Sequence, residues 1–469
     1  MEGTKFKPVL GLRDATMIVA GSMIGSGIFI VSADILENVG SAGWLIAVWL
    51  ITGFMTITAA VSYGELSGMF PRAGGQYVYL KEAYNPLIAF LYGWSFFAVI
   101  QTPTIAAVGV AFAKFTAYII PAFSEDDVLL SVGSLTISPA QVLAIVSIIL
   151  LTYINTRGVK EGKRVQTTFT ITKIASLFGL IIFGLIMLKP EVWSANWENA
   201  WSLHGLKPDG SWVEYTEIAA MGAIASAMVG SIFSSDAWNN VTFIAGEIKN
   251  PQRNIGLSLF LGTLIVTVIY VSANIMYTAV LPLDGIAFAE KERVGVAASN
   301  AIFGNSGTIV IAIMIMISTF GCNNGLILAG ARVYYTMARD GVFFRQVGEL
   351  NRFSVPGRAL WIQCLLACIW CLSGKYGDLL DMISLGVVVF YMLTIVGIFI
   401  LRVKRPDLPR PYKAFGYPFL PIIYLIMGGT FCLLLVRFKP DYTWPGIIIT
   451  LIGIPIYFFA MKQKKASGS

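Results

Sequence analysis

The stretch that decides the fold is Met17-Ile-Val-Ala-Gly-Ser-Met-Ile-Gly-Ser-Gly-Ile-Phe-Ile30. It lies in an apolar segment long enough to cross the hydrocarbon core of a bilayer, which needs about 20 residues. Gly21, Gly25 and Gly27 gather at its centre, with serines between them. This pattern fits a close helix–helix contact between small residues, and it equally fits a helix that breaks at membrane depth. The stretch alone leaves both interpretations open.

A second stretch, Met228-Val-Gly-Ser-Ile-Phe-Ser-Ser-Asp-Ala-Trp-Asn-Asn-Val241, favours the broken helix. The carboxylate of Asp236 is costly at membrane depth unless the backbone, a partner or a ligand uses it. The two stretches lie in the first and sixth apolar segments, which are corresponding positions if segments 1–5 and 6–10 are repeats. Paired interruptions of this kind are typical of transporters built from inverted repeats around a site near the bilayer midplane.

Composition supports a membrane protein. Of the 469 residues, 56% are hydrophobic and only 13% are charged, with a mean hydropathy of +0.74. Soluble domains are about 25% charged. These values exclude a cytosolic enzyme, a disordered chain and a secreted disulfide scaffold. The sequence has no nucleotide-binding P-loop, and the placement of the net charge of +7 does not favour a nucleic-acid partner.

The sequence predicts no cofactor and no metal site. It has one histidine and five cysteines, and all five cysteines lie in apolar segments, where disulfides are not expected. Cys364, Cys368 and Cys371 share one helix face at spacings of four and three residues. That spacing would suit a metal ion, but no histidine lies nearby in the sequence, so we favour helix packing.

Twelve apolar segments predict membrane helices. They are Thr16–Leu36, Ala42–Ser62, Leu87–Ala113, Pro139–Asn155, Val165–Leu188, Ile218–Phe243, Ile255–Val280, Gly307–Ala331, Ala359–Leu372, Leu379–Leu401, Phe419–Val436 and Trp444–Met461. Most of the 33 Lys and Arg residues fall on the side that carries the N-terminus. Because basic residues mark the cytoplasmic side, we expect a multi-pass protein with both termini in the cytoplasm.

The fold class predicted is an all-α membrane protein with 12 transmembrane helices, of which the first and sixth are broken. We expect a ten-helix transport core over residues 1–401, made of inverted repeats at about 10–190 and 215–401. Helices 11 and 12 and a cytoplasmic tail follow over residues 402–469.

Broken helix ends carry a definite chemistry. A half-helix beginning near Ser26 presents free N–H groups and a positive dipole end, which suit a carboxylate. Half-helices ending near Met23 and Ser234 present free carbonyl oxygens, which suit an ammonium group. A site that offers both requires a small zwitterion, so the sequence predicts an α-amino acid as substrate.

Lys173 is the second charge within an apolar segment. Its amine either extends to the lipid headgroups along the fifth helix or is buried between helices and bonded to carbonyls of the broken first helix. In the second case it takes the place that a sodium ion takes in related folds. A buried lysine loses its proton more readily, so it could also couple transport to protons.

Other polar residues within the apolar segments need partners in lipid. Asn323 and Asn324 lie in the eighth segment, and Gln101, Thr102 and Thr104 flank Pro103 in the third. Bonding between helices accounts for them at least as well as contact with a substrate.

The chain resembles the amino acid–polyamine–organocation superfamily, and within it the bacterial L-amino acid transporter branch. The resemblance extends over nearly the whole length and rests on several motifs in order. They are Gly25-Ser-Gly-Ile-Phe29, Gly64-Glu-Leu, Pro71-Arg-Ala-Gly-Gly-Gln-Tyr77, Arg164-Val-Gln with Lys173, Phe233-Ser-Ser-Asp-Ala-Trp238, Gly246-Glu-Ile-Lys-Asn-Pro251, Ala331-Arg-Val-Tyr-Tyr, Ala338-Arg-Asp-Gly341 and Arg405-Pro-Asp-Leu-Pro-Arg-Pro411. The resemblance implies a LeuT-type fold of five plus five helices in the cell inner membrane, and sodium-independent exchange or uptake of amino acids.

The resemblance also implies roles for particular residues. The substrate carboxylate would meet the amides of Ser26 and Gly27, next to Gly25. The amino group would meet carbonyls of Met23, Phe233 and Ser234, with Asp236 at the unwound turn. Phe233 is a candidate gate, and Lys173 matches the lysine that relatives place between the fifth and first helices.

Two departures from the family pattern bear on the site. Bacterial relatives commonly read Phe-x-Tyr-Asp-Gly-Trp in the sixth helix, whereas this chain has Ser235 for the tyrosine and Ala237 for the glycine. The extra methyl group of Ala237 narrows the site or stiffens the turn. Vertebrate members join a heavy subunit through a cysteine in the loop between helices three and four. The loop Pro121–Ser138 has no cysteine, so we expect a monomer or homodimer without such a partner, in contact with lipid and substrate only.

The function predicted is a secondary transporter of neutral L-amino acids that works by alternating access as a sodium-independent exchanger. The leading alternative is a proton-coupled importer of neutral or cationic amino acids, with Lys173 or Asp236 as the protonatable group. A channel or a transporter-like receptor is the alternative from another class.

Overall fold

A computed structural model describes residues 8–132, 135–373 and 376–466. These residues form eighteen α-helices, numbered here in chain order. They are α1 Leu12–Met23, α2 Ser32–Val39, α3 Ala42–Met69, α4 Gln76–Ala83, α5 Pro86–Ser95, α6 Gln101–Ile119, α7 Pro139–Thr156, α8 Val159–Ile186, α9 Pro190–Glu198, α10 Glu217–Ser234, α11 Asn240–Phe243, α12 Pro251–Val280, α13 Leu283–Ala287, α14 Val294–Arg339, α15 Gly357–Ser373, α16 Tyr376–Lys404, α17 Phe419–Phe438 and α18 Pro440–Ala466. The last residues of the tail expected at the C-terminal end lie outside the described residues.

Strands are confined to two short antiparallel hairpins in the described part of the chain. Leu130–Val132 pairs with Leu135–Ile137, and His204–Leu206 pairs with Trp212–Glu214. Both hairpins lie in segments that connect membrane-length helices, so the fold rests on helix packing.

Among the described residues, ten helices are long and apolar enough to cross a membrane. The third of the predicted spans is longer than expected, because α5 continues through a π-helical turn into α6 and gives one span over Pro86–Ile119. Two predicted spans coincide with shorter helices. The ninth matches the apolar helix Gly357–Leu372, and the first is divided into α1 and α2.

The sixth predicted span differs in the same way as the first. The predicted apolar segment covers Ile218–Phe243. Within it, α10 ends at Ser234 and the chain becomes helical again only at α11. Both interruptions lie where the sequence predicts them, because glycines or short polar side chains there disfavour a continuous helix.

The broken helices lie at the centre of the packing. α1 packs against α8, α12 and α14, while α10 packs against α2, α3, α16 and α17. Apolar side chains such as Ile24, Ile28 and Trp238 are 2% exposed or less. Within the described residues, the two breaks are therefore surrounded by packed helices.

Ion pairs tie the helix ends together on the face that carries the N-terminus. Glu65 of α3 is 1% exposed and accepts hydrogen bonds from Arg402 of α16 at 3.0 and 2.6 Å. Arg332 of α14 donates to the buried carboxylate of Glu247 at 3.1 Å. On the opposite face, Lys114 at the end of α6 pairs with Glu292 at 2.8 Å. Ion pairs therefore link helix ends at both faces.

Candidate functional site

The first helix break supplies backbone donors at midspan. α1 ends at Met23, Ile24 takes an extended conformation with ψ of 93°, and one 3-10 turn over Gly27–Phe29 precedes α2. The amides of Gly25 and Gly27 donate to no backbone carbonyl among the described residues. A helix start with unused amides is suited to an anion.

Glycine is required at this break because other helices approach it closely. A Cβ atom at Gly27 would lie 1.9 Å from Ser234 Oγ and 2.6 Å from Ser234 Cβ. A Cβ atom at Gly25 would lie 2.9 Å from Cys322 Sγ on α14. The two glycines thus let the first break pack directly onto α10 and α14.

The second break is a strained turn. α10 ends at Ser234, α11 begins at Asn240, and Ala237 between them has a φ of +63°. This left-handed conformation costs a residue other than glycine on the order of 1 kcal/mol. The expectation that Ala237 stiffens the turn therefore has a physical basis, since a glycine would adopt this conformation without that cost.

One cavity brings the two breaks together. About 290 Å³ of space lies between the atoms that line it, including the part that opens to its surroundings. Seven predicted site residues line it, namely Met23, Gly25, Ser26, Gly27, Phe233, Ser234 and Asp236. The lining also includes Ser22, Thr104, Val108, Ala237, Cys322 and Leu326. We call this space the central cavity.

Ser235 does not line the central cavity. It lines a separate space behind the second break, together with Thr56 of α3 and Tyr424 of α17. The replacement of the family tyrosine by Ser235 therefore changes the packing behind the turn rather than the wall of the central cavity. Asp236 is next to it in the chain, lines both spaces, and accepts a hydrogen bond from the Tyr391 hydroxyl of α16.

Tyr270 of α12 connects the two breaks. Its hydroxyl lies 2.9 Å from the Met23 carbonyl oxygen and 3.0 Å from the Ser234 carbonyl oxygen. A hydroxyl has one proton to donate, so it serves one of these acceptors at a time. These are the carbonyls that the sequence predicts for an ammonium group. The pattern of α12 does not reveal this contact, because nothing in the spacing of Tyr270 along this apolar helix shows which neighbouring segments its hydroxyl reaches.

Lys173 is buried, with 1% of its side chain exposed. Its amine donates to the carbonyls of Gly21 and Ile24, both at 2.6 Å, and lies 3.4 Å from the Ser318 carbonyl oxygen. The alternative in which this side chain reaches the headgroups is therefore wrong. Lys173 does not line the central cavity; it lies behind the first break and holds the backbone of that break in place.

The polar residues left open by the sequence bond mainly to other helices. Asn324 accepts a hydrogen bond from Asn155 of α7 at 2.9 Å, and Asn323 donates to the Ile105 carbonyl at 3.2 Å. Gln101 donates to the Leu326 carbonyl at 2.8 Å. These three contacts support bonds between helices, whereas Thr102 and Thr104 donate to carbonyls of their own span, at Phe97 and Ile100, both at 2.6 Å. Thr104 also lines the central cavity.

No group of three or more His, Cys, Asp or Glu side chains that could hold a metal ion is found among the residues that the structure describes. The Cys322 thiol donates a hydrogen bond to the Ser22 carbonyl at 3.0 Å. The central cavity therefore offers amides, carbonyls, one carboxylate and hydroxyl groups as its polar chemistry.

Comparison with known proteins gives a consistent result. The family model described as amino acid permease matches residues 10–463. The large neutral amino acids transporter small subunit 2 of Homo sapiens is 29% identical over 462 residues, which cover 98% of this chain and 81% of the human protein. The b(0,+)-type amino acid transporter 1 of Mus musculus is 27% identical and is covered over 89% of its length.

A bacterial relative matches from end to end. The serine/threonine exchanger SteT of Bacillus subtilis (strain 168) is 29% identical over 471 residues, which cover 99% of both chains. The similarity thus includes both helix breaks.

Proposed function

Because the chain belongs to the amino acid permease family, we propose that it exchanges neutral L-amino acids across the cell membrane by alternating access and without sodium. The chain is a multi-pass membrane protein. The observation that carries the proposal is the central cavity, where backbone donors of one helix break lie beside backbone acceptors of both breaks. Relatives named as transporters and as an exchanger, matched over nearly the whole chain, support it.

The proposed substrate position follows from the two kinds of backbone group. The carboxylate binds at the amides of Ser26 and Gly27, where the helix start favours an anion. The ammonium binds at the carbonyls of Met23, Phe233 and Ser234, close to the carboxylate of Asp236. Phe233 is 8% exposed and lines the cavity, which supports its role as a gate over the substrate.

The larger architecture is proposed as 12 transmembrane helices, with inverted repeats at about 10–190 and 215–401, helices 11 and 12 over residues 402–469, and both termini in the cytoplasm. The matching breaks of the first and sixth helices support the repeat. We further propose that the protein works without a disulfide-linked subunit. The positions of the five cysteines support this, since all lie within helices and the loop Pro121–Ser138 contains no cysteine.

Exchange is tested in proteoliposomes loaded with unlabelled L-serine or L-leucine. We expect labelled amino acid to enter only when substrate is present inside, and uptake to be unchanged when sodium is replaced or a pH gradient is imposed. The buried Lys173 amine and Asp236 carboxylate are the observations in favour of the alternative function, a proton-coupled importer.

Such an importer would accumulate labelled amino acid in empty vesicles when the outside is acid, and this result would contradict exchange. Uptake without saturable counterflow would instead indicate a channel.

The hydroxyl of Tyr270 gives a prediction about the ammonium position. In Tyr270→Phe the carbonyls of Met23 and Ser234 lose this donor, which destabilises the substrate-free protein by about 1 kcal/mol. A bound ammonium replaces the missing donor, so the rise in melting temperature caused by saturating substrate should be larger in the variant than in wild type. Thermal-shift measurements with each of the twenty amino acids check this and also define the side chains that are accepted.

The control for this prediction is Tyr277→Phe on the same helix. Its hydroxyl donates to the Ile28 carbonyl at 3.1 Å, which is not among the carbonyls assigned to the ammonium. We expect a lower melting temperature in both variants, but an enlarged substrate effect only in Tyr270→Phe. An equal substrate effect in the two variants would place the ammonium elsewhere.

A further inference from the structure

A second cavity lies beyond the second helix break, and we call it the inner chamber. About 280 Å³ of space lies between the atoms that line it, including the part that opens to its surroundings, so it is a narrow space rather than a wide chamber. The polar residues that line it include Gln76, Tyr92, Gln101, Asp236, Asn240 and Tyr391. Asp236 and Ala237 line both the inner chamber and the central cavity, so the unwound turn borders both spaces.

Chain direction places the inner chamber on the side of the N-terminus. α5 starts at Pro86 on that face, and Tyr92 lies within its first two turns. Asn240 begins α11, which follows the second break on the way to the same face. The inner chamber is thus the space that a substrate leaving the central cavity toward this face would enter.

Two polar groups of the inner chamber are buried without a hydrogen bond. The Tyr92 hydroxyl and the Asn240 side-chain nitrogen have no partner among the described residues, although Tyr92 is 2% exposed and Asn240 is 1% exposed. Buried polar groups in proteins are nearly always paired. Both groups are donors, so they are suited to an acceptor such as a carboxylate oxygen.

The remaining polar groups are differently placed. Gln76 accepts from the Asn239 side chain at 2.8 Å and donates to Thr394 at 3.1 Å, so it ties α4, the unwound turn and α16 together. Asp236 accepts from Tyr391 and supplies negative charge to the inner chamber. The chamber therefore combines two unused donors with one carboxylate, a set that complements a zwitterion.

We propose that the inner chamber is a second amino acid site, in which Tyr92 and Asn240 bind the substrate carboxylate and Asp236 binds its ammonium group. This inference rests on the proposed function. Because Asp236 borders both spaces, the ammonium stays next to one carboxylate while the substrate carboxylate moves from the amides at Gly27 to the side chains of Tyr92 and Asn240. The second site acts only in loading and release at the face that carries the N-terminus.

The test compares the two faces of the protein in oriented proteoliposomes, with L-serine and L-leucine as probes. The orientation of the protein in the vesicles is determined from the fraction of an N-terminal tag that protease added outside can remove. In Tyr92→Phe we expect the half-saturating concentration at the N-terminal face to rise about tenfold, because the variant loses one hydrogen bond to a charged group. At the opposite face it should stay within about twofold. Asn240→Asp replaces the donor by a charge that repels the carboxylate and should give a larger rise at the same face.

The matched control is Tyr334→Phe. This hydroxyl is also buried without a hydrogen-bond partner among the described residues, but Tyr334 does not line the inner chamber. It should leave both half-saturating concentrations unchanged.

The outcomes separate this inference from the proposed function. If the wild type exchanges normally and Tyr92→Phe has an unchanged half-saturating concentration at the N-terminal face, the second site alone is overturned. The inner chamber would then hold only water. An equal rise at both faces would also overturn it, because Tyr92 would then act on the central cavity. Absence of exchange by the wild type would overturn the proposed function and this inference with it.

Discussion

Gly27→Ala is expected to lower exchange by roughly 100-fold, because the added methyl group has no space. Its Cβ atom would lie 1.9 Å from Ser234 Oγ, 2.6 Å from Ser234 Cβ and 3.1 Å from Ser234 Cα. The Ser234 hydroxyl cannot turn away without loss, since it donates to the Gly230 carbonyl at 2.7 Å. Overpacking of this kind costs about 1–3 kcal/mol, and each 1.4 kcal/mol is about a tenfold change.

The loss in Gly27→Ala should be rescued by shortening the opposing side chain. In the double variant Gly27→Ala with Ser234→Gly, the two nearest atoms are absent, and of the three closest contacts the one with the Cα atom at 3.1 Å remains. We expect exchange to recover to within about tenfold of wild type. Exchange rates are measured in proteoliposomes at equal protein content, after size-exclusion chromatography has shown that each variant is monodisperse.

Gly179→Ala on α8 is the matched control, because nothing lies within 4 Å of a Cβ atom at that position. It should exchange amino acids at the wild-type rate. If Gly27→Ala also exchanged normally, the contact between the two breaks would not be part of the transport cycle. If the double variant stayed inactive although Gly27→Ala is monodisperse, the amide region itself rather than the clash with Ser234 would be responsible.

The helix breaks were predictable because the cause of each break is local. Glycines at positions 21, 25 and 27 and the polar run from Ser234 to Asn240 disfavour a continuous apolar helix wherever they are placed. The seven predicted site residues among those that line the central cavity all belong to these two breaks. Their meeting in one cavity required the further assumption that the two segments are corresponding parts of a repeat.

The supporting contacts were not predictable, because they depend on how separate helices pack. Tyr270 reaches both breaks from α12, and Tyr391 reaches Asp236 from α16. Nothing in the spacing of these tyrosines distinguishes them from others in apolar helices. The direction of Ser235 was equally hidden, since a one-residue difference at an unwound turn decides which space a side chain enters.

Lys173 shows where the sequence left two outcomes open and the packing decided between them. Its position on the fifth helix fits a side chain that extends to the headgroups and one that is buried. The structure buries the amine because α1 is broken opposite it, so the Gly21 and Ile24 carbonyls need a donor. The break in α1 and the buried lysine are thus one feature, and each accounts for the other.

Lys173→Met is therefore expected to reduce exchange by roughly 100-fold. Methionine keeps an apolar side chain of similar length but removes the amine. The Gly21 carbonyl then loses its lysine donor, and the Ile24 carbonyl keeps only the long contact from the Ser318 hydroxyl at 3.5 Å. An unsatisfied buried polar group costs about 1–3 kcal/mol, so the loss of both lysine bonds accounts for a change of this size. The measurement is the exchange rate per reconstituted protein, compared with Ser176→Ala. Ser176 lines the same space one turn further along α8 and bonds only to the Thr172 carbonyl of its own helix, at 2.7 Å. That variant should keep the wild-type rate.

Normal exchange in Lys173→Met would show that the first break holds its shape without the amine. Exchange that survives but loses a response to an imposed pH gradient would instead assign Lys173 to proton coupling.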